Sequence, residues 1–143
     1  MISIVIPTFN NLDYLKICLN SIKKNSTFNN EILLHINEGT DGTLEYAIKN
    51  NIKYTYSKMN NGLCIGCNNV AKKSLYDLIL YAHDDMYFCP DWDKVLISEV
   101  DKLNTKKFYL SSIMINADPK LTGFLNLNAG DNFSNFNEDK LLK

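Results

Sequence analysis

Short apolar runs alternate along this chain with segments in which apolar residues recur every three or four positions. The runs have the length and residue types of strands buried on both faces, and the periodic segments have the pattern of amphipathic helices. The predicted strands are Ile2–Ile6, Ile32–Ile36, Ile52–Ser57, Leu78–Ala82 and Phe108–Ile115. The predicted helices are Asn11–Lys24, Thr43–Asn50, Leu63–Ser74, Asp91–Leu103 and Glu138–Lys143.

The order of these elements predicts an α/β fold with an open, mostly parallel sheet flanked by helices, because strand–helix–strand units require right-handed crossovers. Pro7 is expected to end the first strand, and Asn10 or Asn11 to cap the first helix. The pattern weakens from about residue 116, where Asn, Asp and Gly accumulate. We therefore expect one domain over residues 1–115, followed by a region, residues 116–143, in which the fold is incomplete at its C-terminal end.

Composition narrows the possible partners and location. The 143 residues carry a net charge of −1, with 45% hydrophobic and 22% charged residues, which is ordinary for a soluble globular protein. Lys and Arg form no stripe, so nucleic acid is not an expected partner. The longest apolar runs fall short of the roughly 20 residues that span a bilayer. The N-terminus lacks a basic region followed by an apolar one, which predicts a cytoplasmic protein.

The four cysteines, Cys18, Cys64, Cys67 and Cys89, are expected to be free thiols in a chain of this size and compartment. Cys64 and Cys67 form a C-x-x-C pair, which leaves a redox or metal role open as the minor alternative. Together with His83 and Cys89 the pair could supply four zinc ligands, but their spacing follows no standard zinc pattern. The main interpretation is that these are small packing residues on one helix face.

Asp84 and Asp85 are the most informative residues of the chain. They directly follow a strand that is predicted to be buried, where an unpaired carboxylate is costly. Mg2+ and Mn2+ favour one or two carboxylates together with phosphate oxygens, and open α/β sheets bind ligands beyond the carboxyl ends of their strands. We therefore predict a divalent-cation site that carries a phosphorylated ligand. Capping of the following loop is the alternative role, and His83 is interpreted as a neutral or packing residue.

Four segments, in this order, resemble the motifs of family 2 glycosyltransferases, which have the Rossmann-like GT-A fold. They are Ser3–Leu15, which contains Pro7-Thr8-Phe9-Asn10, then Asn37–Thr43, Asn60–Asn68 and Ala82–Trp92. Each motif alone is weak, but the ordered set covers roughly residues 2 to 100 and is fairly specific.

The resemblance implies an enzyme that transfers a sugar, with inversion, from a UDP-, GDP- or dTDP-sugar to a hydroxyl of a saccharide or lipid-linked acceptor. It implies Mn2+ or Mg2+ as cofactor, with Asp85 and Asp84 as its ligands. The donor-binding residues that it implies are Pro7, Thr8, Asn10, Glu38, Gly62, Asn68 and Asp84. Residues 1–115 would bind the donor, and residues 116–143 would begin the acceptor side. Peripheral membrane association stays open because such acceptors include lipids.

The same resemblance leaves the general base unassigned, because no downstream acid lies in a recognisable motif. The available candidates are Asp118, Asp131, Glu138 and Asp139. Two alternatives therefore remain. One is a nucleotide-sugar-binding module without activity, and the other is a different nucleotide-binding α/β protein such as a nucleotidyltransferase.

Overall fold

A four-stranded parallel sheet lies in the N-terminal part of the chain, and two short strands further along form a separate parallel pair. The computed structural model describes residues 1–112, 115–116 and 125–143, which form two compact units, Met1–Ile97 and Ser98–Lys143. The strands are β1 (Ser3–Phe9), β2 (Glu31–Asn37), β3 (Lys53–Ser57), β4 (Ile79–Tyr81), β5 (Ile115–Asn116) and β6 (Leu125–Asn126). The helices are α1 (Leu12–Asn25), α2 (Thr43–Lys49), α3 (Leu63–Ala71), α4 (Trp92–Asp101) and α5 (Glu138–Leu141). The first unit holds a four-stranded sheet in the order β3-β2-β1-β4, with every neighbouring pair parallel.

Both faces of the central strands are buried, as the apolar runs predicted. On one face, Ile4 and Ile6 of β1 belong to a cluster with Leu15 and Leu19 of α1, and residues of α2 and α4 pack on the same cluster. The opposite face packs Val5 of β1 and Leu33 of β2 against Val70 of α3. Right-handed crossovers place α1 and α2 on one face of the sheet and α3 on the other. The connections through α1 and α2 lead from β1 to β3, whereas the connection through α3 leads back past β1 to β4.

The close approach of α3 to the sheet depends on Gly66. A Cβ atom at this position would lie 2.6 Å from Cδ2 of His35, which β2 presents beneath the helix. His35 is 1% exposed, and its Nδ1 lies 2.7 Å from Oγ1 of Thr55. Because the imidazole ring is enclosed and hydrogen-bonded, it has no free space into which it can move.

We expect Gly66→Ala to lower the free energy of unfolding by about 1–2 kcal/mol. Ala is better than Gly inside a helix by about 1 kcal/mol, but overpacking a filled core typically costs about 1–3 kcal/mol. Urea unfolding measures the difference, with Cys64→Ala on the exposed side of α3 as the control that should change little. A Gly66→Ala protein as stable as wild type would show that the helix can move away from His35.

Several element ends differ from the sequence prediction. β1 continues through Pro7 to Phe9 instead of ending at Ile6. Neither Asn10 nor Asn11 caps α1 with its side chain; the N–H of Leu12 instead donates to Oδ2 of Asp41, at 2.7 Å. The predicted cap was wrong because the cap comes from a residue that is distant in sequence, which local helix-start preferences do not include.

The predicted strand Phe108–Ile115 was wrong over residues 108–112, which adopt no regular structure. Residues 113 and 114 lie outside the described residues, and Ile115 belongs to β5. Tyr109 is 92% exposed, and Phe108 and Leu110 are also exposed. Aromatic and branched residues favour strands only where a neighbouring strand pairs with them, and residues 108–112 have no such pairing in the structure.

The second unit contains a loop held by asparagine side chains. Oδ1 of Asn135 accepts hydrogen bonds from the N–H groups of Asp131 and Asn132, and Asn128 Nδ2 donates to Asp131 Oδ1. Asn137 caps α5 by accepting from the N–H of Lys140, at 2.9 Å, and this helix confirms the one predicted at the C-terminus. Within the described residues, no helix is both long and apolar enough to cross a bilayer.

Candidate functional site

The strand order reverses between β1 and β4, which makes the carboxyl ends of these two strands a topological switch point. Ser3 N–H donates to Leu78 O and Ala82 N–H donates to Val5 O, so alternate residues of β1 direct their backbone groups toward β4. Pro7 is the next residue in this series, and it has no N–H to continue the ladder. The β1–β4 pairing therefore ends there, although β1 remains paired with β2 as far as Phe9. Ligands of open α/β sheets bind at such switch points.

Asp84 and Asp85 lie in the turn that follows β4, at this switch point. The chain leaves the sheet at the buried Ala82 and turns, with the N–H of Met86 3.4 Å from the carbonyl oxygen of His83. Asp84 is half-buried, and its Oδ1 accepts a hydrogen bond of 3.0 Å from Nδ2 of Asn11. Asp85 is exposed and forms no hydrogen bond within the described part of the chain. Asp84 is therefore held in place, while the carboxylate of Asp85 is free to take a ligand.

Both carboxylates act electrostatically on their neighbours. Burial, followed by the charges of Asp84 and Asp85, raises the pKa of the buried Cys18 thiol to about 12. The pKa of Tyr81 is also raised, first by burial and then by Cys67, Cys64 and the same two aspartates. Among the described residues, neither aspartate forms an ion pair. The turn therefore carries two carboxylates without a cationic partner in the part of the chain that the structure describes, and a bound cation would neutralise their charge.

The two carboxylates fit a hard divalent cation that is shared with a phosphate ligand. No group of three His, Cys, Asp or Glu side chains gathers in the described residues in a way that could hold a metal alone. Mg2+ binds in this manner, through one or two carboxylates plus phosphate oxygens and water, and it rarely uses an all-protein cage. Asp84 and Asp85 would therefore hold the cation, and the remaining positions would go to a diphosphate.

His83 is engaged with a neighbouring ring. Its Nε2 lies 2.9 Å from the hydroxyl of Tyr81, and the two rings meet edge to face with their centroids 5.1 Å apart. His83 is exposed, so its interpretation as a neutral or packing residue stays a prediction. The four cysteines are free thiols, as expected, but Cys64 is exposed and Cys67 only half-buried, so the expectation that both pack inside was wrong for Cys64.

Three of the predicted donor-binding residues, Pro7, Thr8 and Asn10, lie at the end of β1. Thr8 is 3% exposed, and its Oγ1 has no hydrogen-bond partner among the described residues. Asn10 has a φ of +46°, and its Oδ1 accepts from the N–H of Thr40 at 2.9 Å, so its side chain joins the loop after β1 to the loop after β2. Pro7 ends the pairing with β4, as described above. All three lie at the carboxyl edge of the sheet.

Glu38 follows β2 with a strained backbone. Its φ is +60°, which is uncommon for a residue with a side chain, and its N–H donates to the carbonyl oxygen of Ser57 at 2.8 Å. The half-buried Glu38 side chain makes no hydrogen bond within the described residues. Neighbouring Asn37 accepts from the N–H of Asn61 at 3.1 Å. The ends of β2 and β3 are thus tied together while the carboxylate of Glu38 stays available.

Gly62 and Asn68 occupy different surroundings. Gly62 precedes α3 with a φ of +85°, and a Cβ atom there would have no neighbour within 4 Å, so the backbone conformation, and not crowding, requires glycine. Asn68 lies on the exposed side of α3, opposite the side on which Gly66 and Val70 face the sheet. Gly62 joins the other predicted residues at the carboxyl edge, while Asn68 faces away from the sheet.

Sequence reasoning missed Asn11, which holds Asp84 in this site, and it missed Asp41, which caps the neighbouring helix α1. Asp41 accepts from the N–H of Leu12 with one oxygen, and from both the N–H and Oγ1 of Thr43 with the other. Burial tends to raise the pKa of Asp41, but these hydrogen bonds outweigh it and lower the pKa. The Asp-Gly turn was visible in the sequence, but its partner, the start of α1, was not.

A separate groove of about 370 Å3 lies at the other end of the sheet. It is lined by Leu33, Ile52, Lys53, Tyr54, Val70 and Lys73. These residues come from β2, from the start of β3 and the residue before it, and from the C-terminal end of α3 and the segment after it, away from the carboxyl edge. The groove contains none of the acids discussed above, so we place the functional site at the carboxyl edge.

Comparison with known proteins identifies the family of the chain. The sequence pattern of the family described as "Glycosyl transferase family 2" matches residues 3–141. No curated protein matches the chain by sequence. Residues 1–349 of TarS from S. aureus, solved alone and in complex with UDP, match with 25% identity and a TM-score of 0.63. The match covers 71% of this chain and 32% of that one.

A second solved structure shares the fold at lower identity. It is the mannosyltransferase PcManGT from Pyrobaculum calidifontis in complex with GDP-Man and Mn2+, with 17% identity and a TM-score of 0.59. The match covers 73% of this chain and 32% of that one, so the chain spans about a third of the length of these structures. Both resemblances agree with the parallel sheet. The chain therefore belongs to glycosyl transferase family 2 and has the GT-A fold.

Proposed function

We propose that the chain binds a nucleotide-diphosphate sugar together with Mn2+ or Mg2+, and takes part in transfer of the sugar, with inversion, to an acceptor hydroxyl. The observation that carries this proposal is the pair Asp84 and Asp85 at the switch point of the sheet, with one carboxylate held by Asn11 and the other exposed. TarS, which binds UDP, and PcManGT, which binds GDP-Man and Mn2+, support the ligand class.

Unused polar groups at the carboxyl edge support a nucleotide as the ligand. A carboxylate accepts hydrogen bonds from ring N–H groups, so Glu38 is suited to recognise the base. Thr8 contributes a buried hydroxyl without a described partner. Pro7, Asn10 and Gly62 would shape the backbone against which the nucleotide lies. Asn68 completes the proposed donor-binding set by family resemblance, although it faces away from the sheet.

In the proposed reaction the acceptor hydroxyl attacks the anomeric carbon while the bond to the nucleoside diphosphate breaks. Asp84 and Asp85 would orient the diphosphate by holding the cation at the strand end. A bound Mn2+ or Mg2+ supplies Lewis-acid stabilisation of the departing diphosphate. A general base must take the proton of the hydroxyl, and we assign none. Asp131, Glu138 and Asp139 lie in the second unit, and Asp118 is outside the described residues.

Residues 1–115 remain the proposed donor part and residues 116–143 the proposed start of the acceptor side, where a saccharide or lipid-linked hydroxyl would bind. The cytoplasmic location also stays a prediction. A nucleotide-sugar-binding module without turnover is a second candidate, because the chain spans only 32% of the solved structures that it matches. The family match argues against the nucleotidyltransferase alternative.

We expect at least one UDP-, GDP- or dTDP-sugar to raise the thermal midpoint of the protein in the presence of Mn2+. A ligand at about 100 times its dissociation constant adds about 2.7 kcal/mol to stability, which for a domain of this size is a shift of roughly 5–10 °C. A thermal-shift screen with and without Mn2+ measures this.

ADP with Mn2+ is the matched control, since it carries the same diphosphate on a different base. Stabilisation that needs both the metal and a uracil, guanine or thymine base would support the proposal. Equal stabilisation by ADP would contradict base recognition. A thermal shift of the same size with and without Mn2+ would contradict the metal role. Sugar transfer to an acceptor, assayed with the same donor, separates an enzyme from a binding module.

A further inference from the structure

Asn11 stands where the N-cap of α1 is expected, but its side chain does not cap the helix. Its backbone angles, φ −135° and ψ 42°, are non-helical, and its side chain makes no capping hydrogen bond. Its Nδ2 instead donates to Oδ1 of Asp84, 73 residues further along the chain, at 3.0 Å. An Asn at this position ordinarily caps the helix with its side chain. A hydrogen bond to a distant carboxylate instead needs a separate explanation.

Asp41 performs the capping that Asn11 does not. The Oδ2 of Asp41 accepts from the N–H of Leu12, the first residue of α1, at 2.7 Å. Capping of α1 and support of Asp84 are therefore carried by two different side chains. This separation makes the two roles independently testable.

We propose that Asn11 is a positioning residue that orients the metal-binding carboxylate of Asp84; the inference rests on the function proposed above. Its amide N–H holds Oδ1 of Asp84, which fixes the rotamer of that side chain and leaves Oδ2 together with Asp85 for the cation. The same bond ties the loop after β1, which carries Asn10 and directly follows the strand end that contains Thr8, to the turn after β4. The residues proposed to bind the base and those proposed to bind the metal are thereby held in a fixed arrangement relative to each other.

The chemistry of the bond explains why an amide is present. Alanine has no donor, serine is too short to span the same gap, and aspartate would place a second negative charge against Asp84. Hydrogen-bond partners of metal-binding residues typically account for 10–100-fold in metal affinity. We expect Asn11→Ala to raise the Mn2+ concentration needed for half-maximal binding of UDP or GDP by about tenfold.

The experiment measures binding of UDP and GDP by calorimetry across a series of Mn2+ concentrations, for wild type, Asn11→Ala and Asp41→Ala. In Asn11→Ala we expect the Mn2+ requirement to rise, while nucleotide affinity at saturating Mn2+ changes by less than about threefold. Asp41→Ala loosens the same helix start without removing the bond to Asp84. It should lower the thermal midpoint yet keep the Mn2+ requirement within about twofold of wild type.

Three results would overturn the inference in distinguishable ways. An unchanged Mn2+ requirement in Asn11→Ala, with normal wild-type binding, would reject the positioning role and leave the proposed function standing. The same shift in Asp41→Ala and Asn11→Ala would attribute the effect to a loosened helix start. Absence of Mn2+-dependent nucleotide binding in the wild type would reject the proposed function, and the inference with it.

Discussion

Asp85→Asn is expected to weaken Mn2+-dependent binding of the nucleotide diphosphate by more than about 100-fold. Loss of an outer-shell partner already costs about 10–100-fold in metal affinity, and Asp85 is a proposed direct ligand. An amide keeps the shape of the side chain but removes the negative charge that a hard cation prefers. Because Asp85 is exposed and makes no hydrogen bond in the described residues, its replacement should leave the fold intact. Calorimetric titration of UDP and GDP with Mn2+ measures the loss.

Asp77→Asn is the matched control for this experiment. Asp77 is another exposed aspartate next to β4, but it precedes the strand and therefore lies at the opposite edge of the sheet. The same chemical change there should leave binding within about twofold of wild type. If Asp85→Asn bound nucleotide and Mn2+ as tightly as Asp77→Asn does, the proposed metal site at the end of β4 would be wrong.

Asp93→Asn is expected to lower the free energy of unfolding by about 3 kcal/mol. Asp93, in the first turn of α4, is 0% exposed and accepts four hydrogen bonds. The donors are the N–H groups of Thr27, Phe28 and Lys94 and Nδ2 of Asn30, at 2.7–2.9 Å. An amide in place of the carboxylate would turn an NH2 group toward two of these donors, and each buried donor left unsatisfied costs about 1–3 kcal/mol. Chemical denaturation at neutral pH measures the loss.

Asp91→Asn provides the same substitution two residues away. Asp91 is exposed and accepts one side-chain hydrogen bond, from Oγ1 of Thr27. Its φ of +60° is one that asparagine tolerates well, so we expect a change within about 0.5 kcal/mol. Equal losses in the two variants would show that burial and the four donors of Asp93 are not what stabilises the protein here.

The pH dependence of stability gives a second readout of Asp93. Burial tends to raise the pKa of Asp93, but the hydrogen bonds from Thr27, Phe28, Asn30 and Lys94 outweigh it and lower the pKa. A lowered folded-state pKa means that the contribution is fully present above the unfolded value of about 3.9, and is lost as the pH falls through the folded value. Wild type should therefore lose stability more steeply below about pH 4 than Asp93→Asn does.

Much of the sheet was predictable because strands that are buried on both faces are rich in apolar residues. Apart from Ser3 and His35, the runs at Ile2–Ile6 and Ile32–Ile36 are apolar, and the structure buries both faces of their strands. The secondary structure of segments at the surface was harder to predict from the sequence. The run at residues 108–112 has strand-like residues but no pairing partner, and strand preference depends on such a partner.

The sequence also predicted that the proposed site residues share one edge of the sheet, since residues that follow parallel strands meet there. This reasoning brought together Thr8, Glu38 and Asp84 from three separate strand ends. It could not assign the partner of each side chain. Asn11 was read as a helix cap, and the buried acid of α4 was missed, because the groups that they bind lie 73 and 63–66 residues away.

The sequence by itself determined which segments form β1 to β4 and α1 to α4, and which acids follow β4, because hydrophobic periodicity and residue chemistry are local properties. Only the tertiary structure decided that β1 and β4 separate at Pro7, that Asp41 caps α1, and that Asn11 is thereby left to hold Asp84. Hydrogen bonds between residues far apart along the chain depend on the packed backbone, which brings their donors and acceptors within about 3 Å of each other. Spacing along the sequence does not encode that geometry.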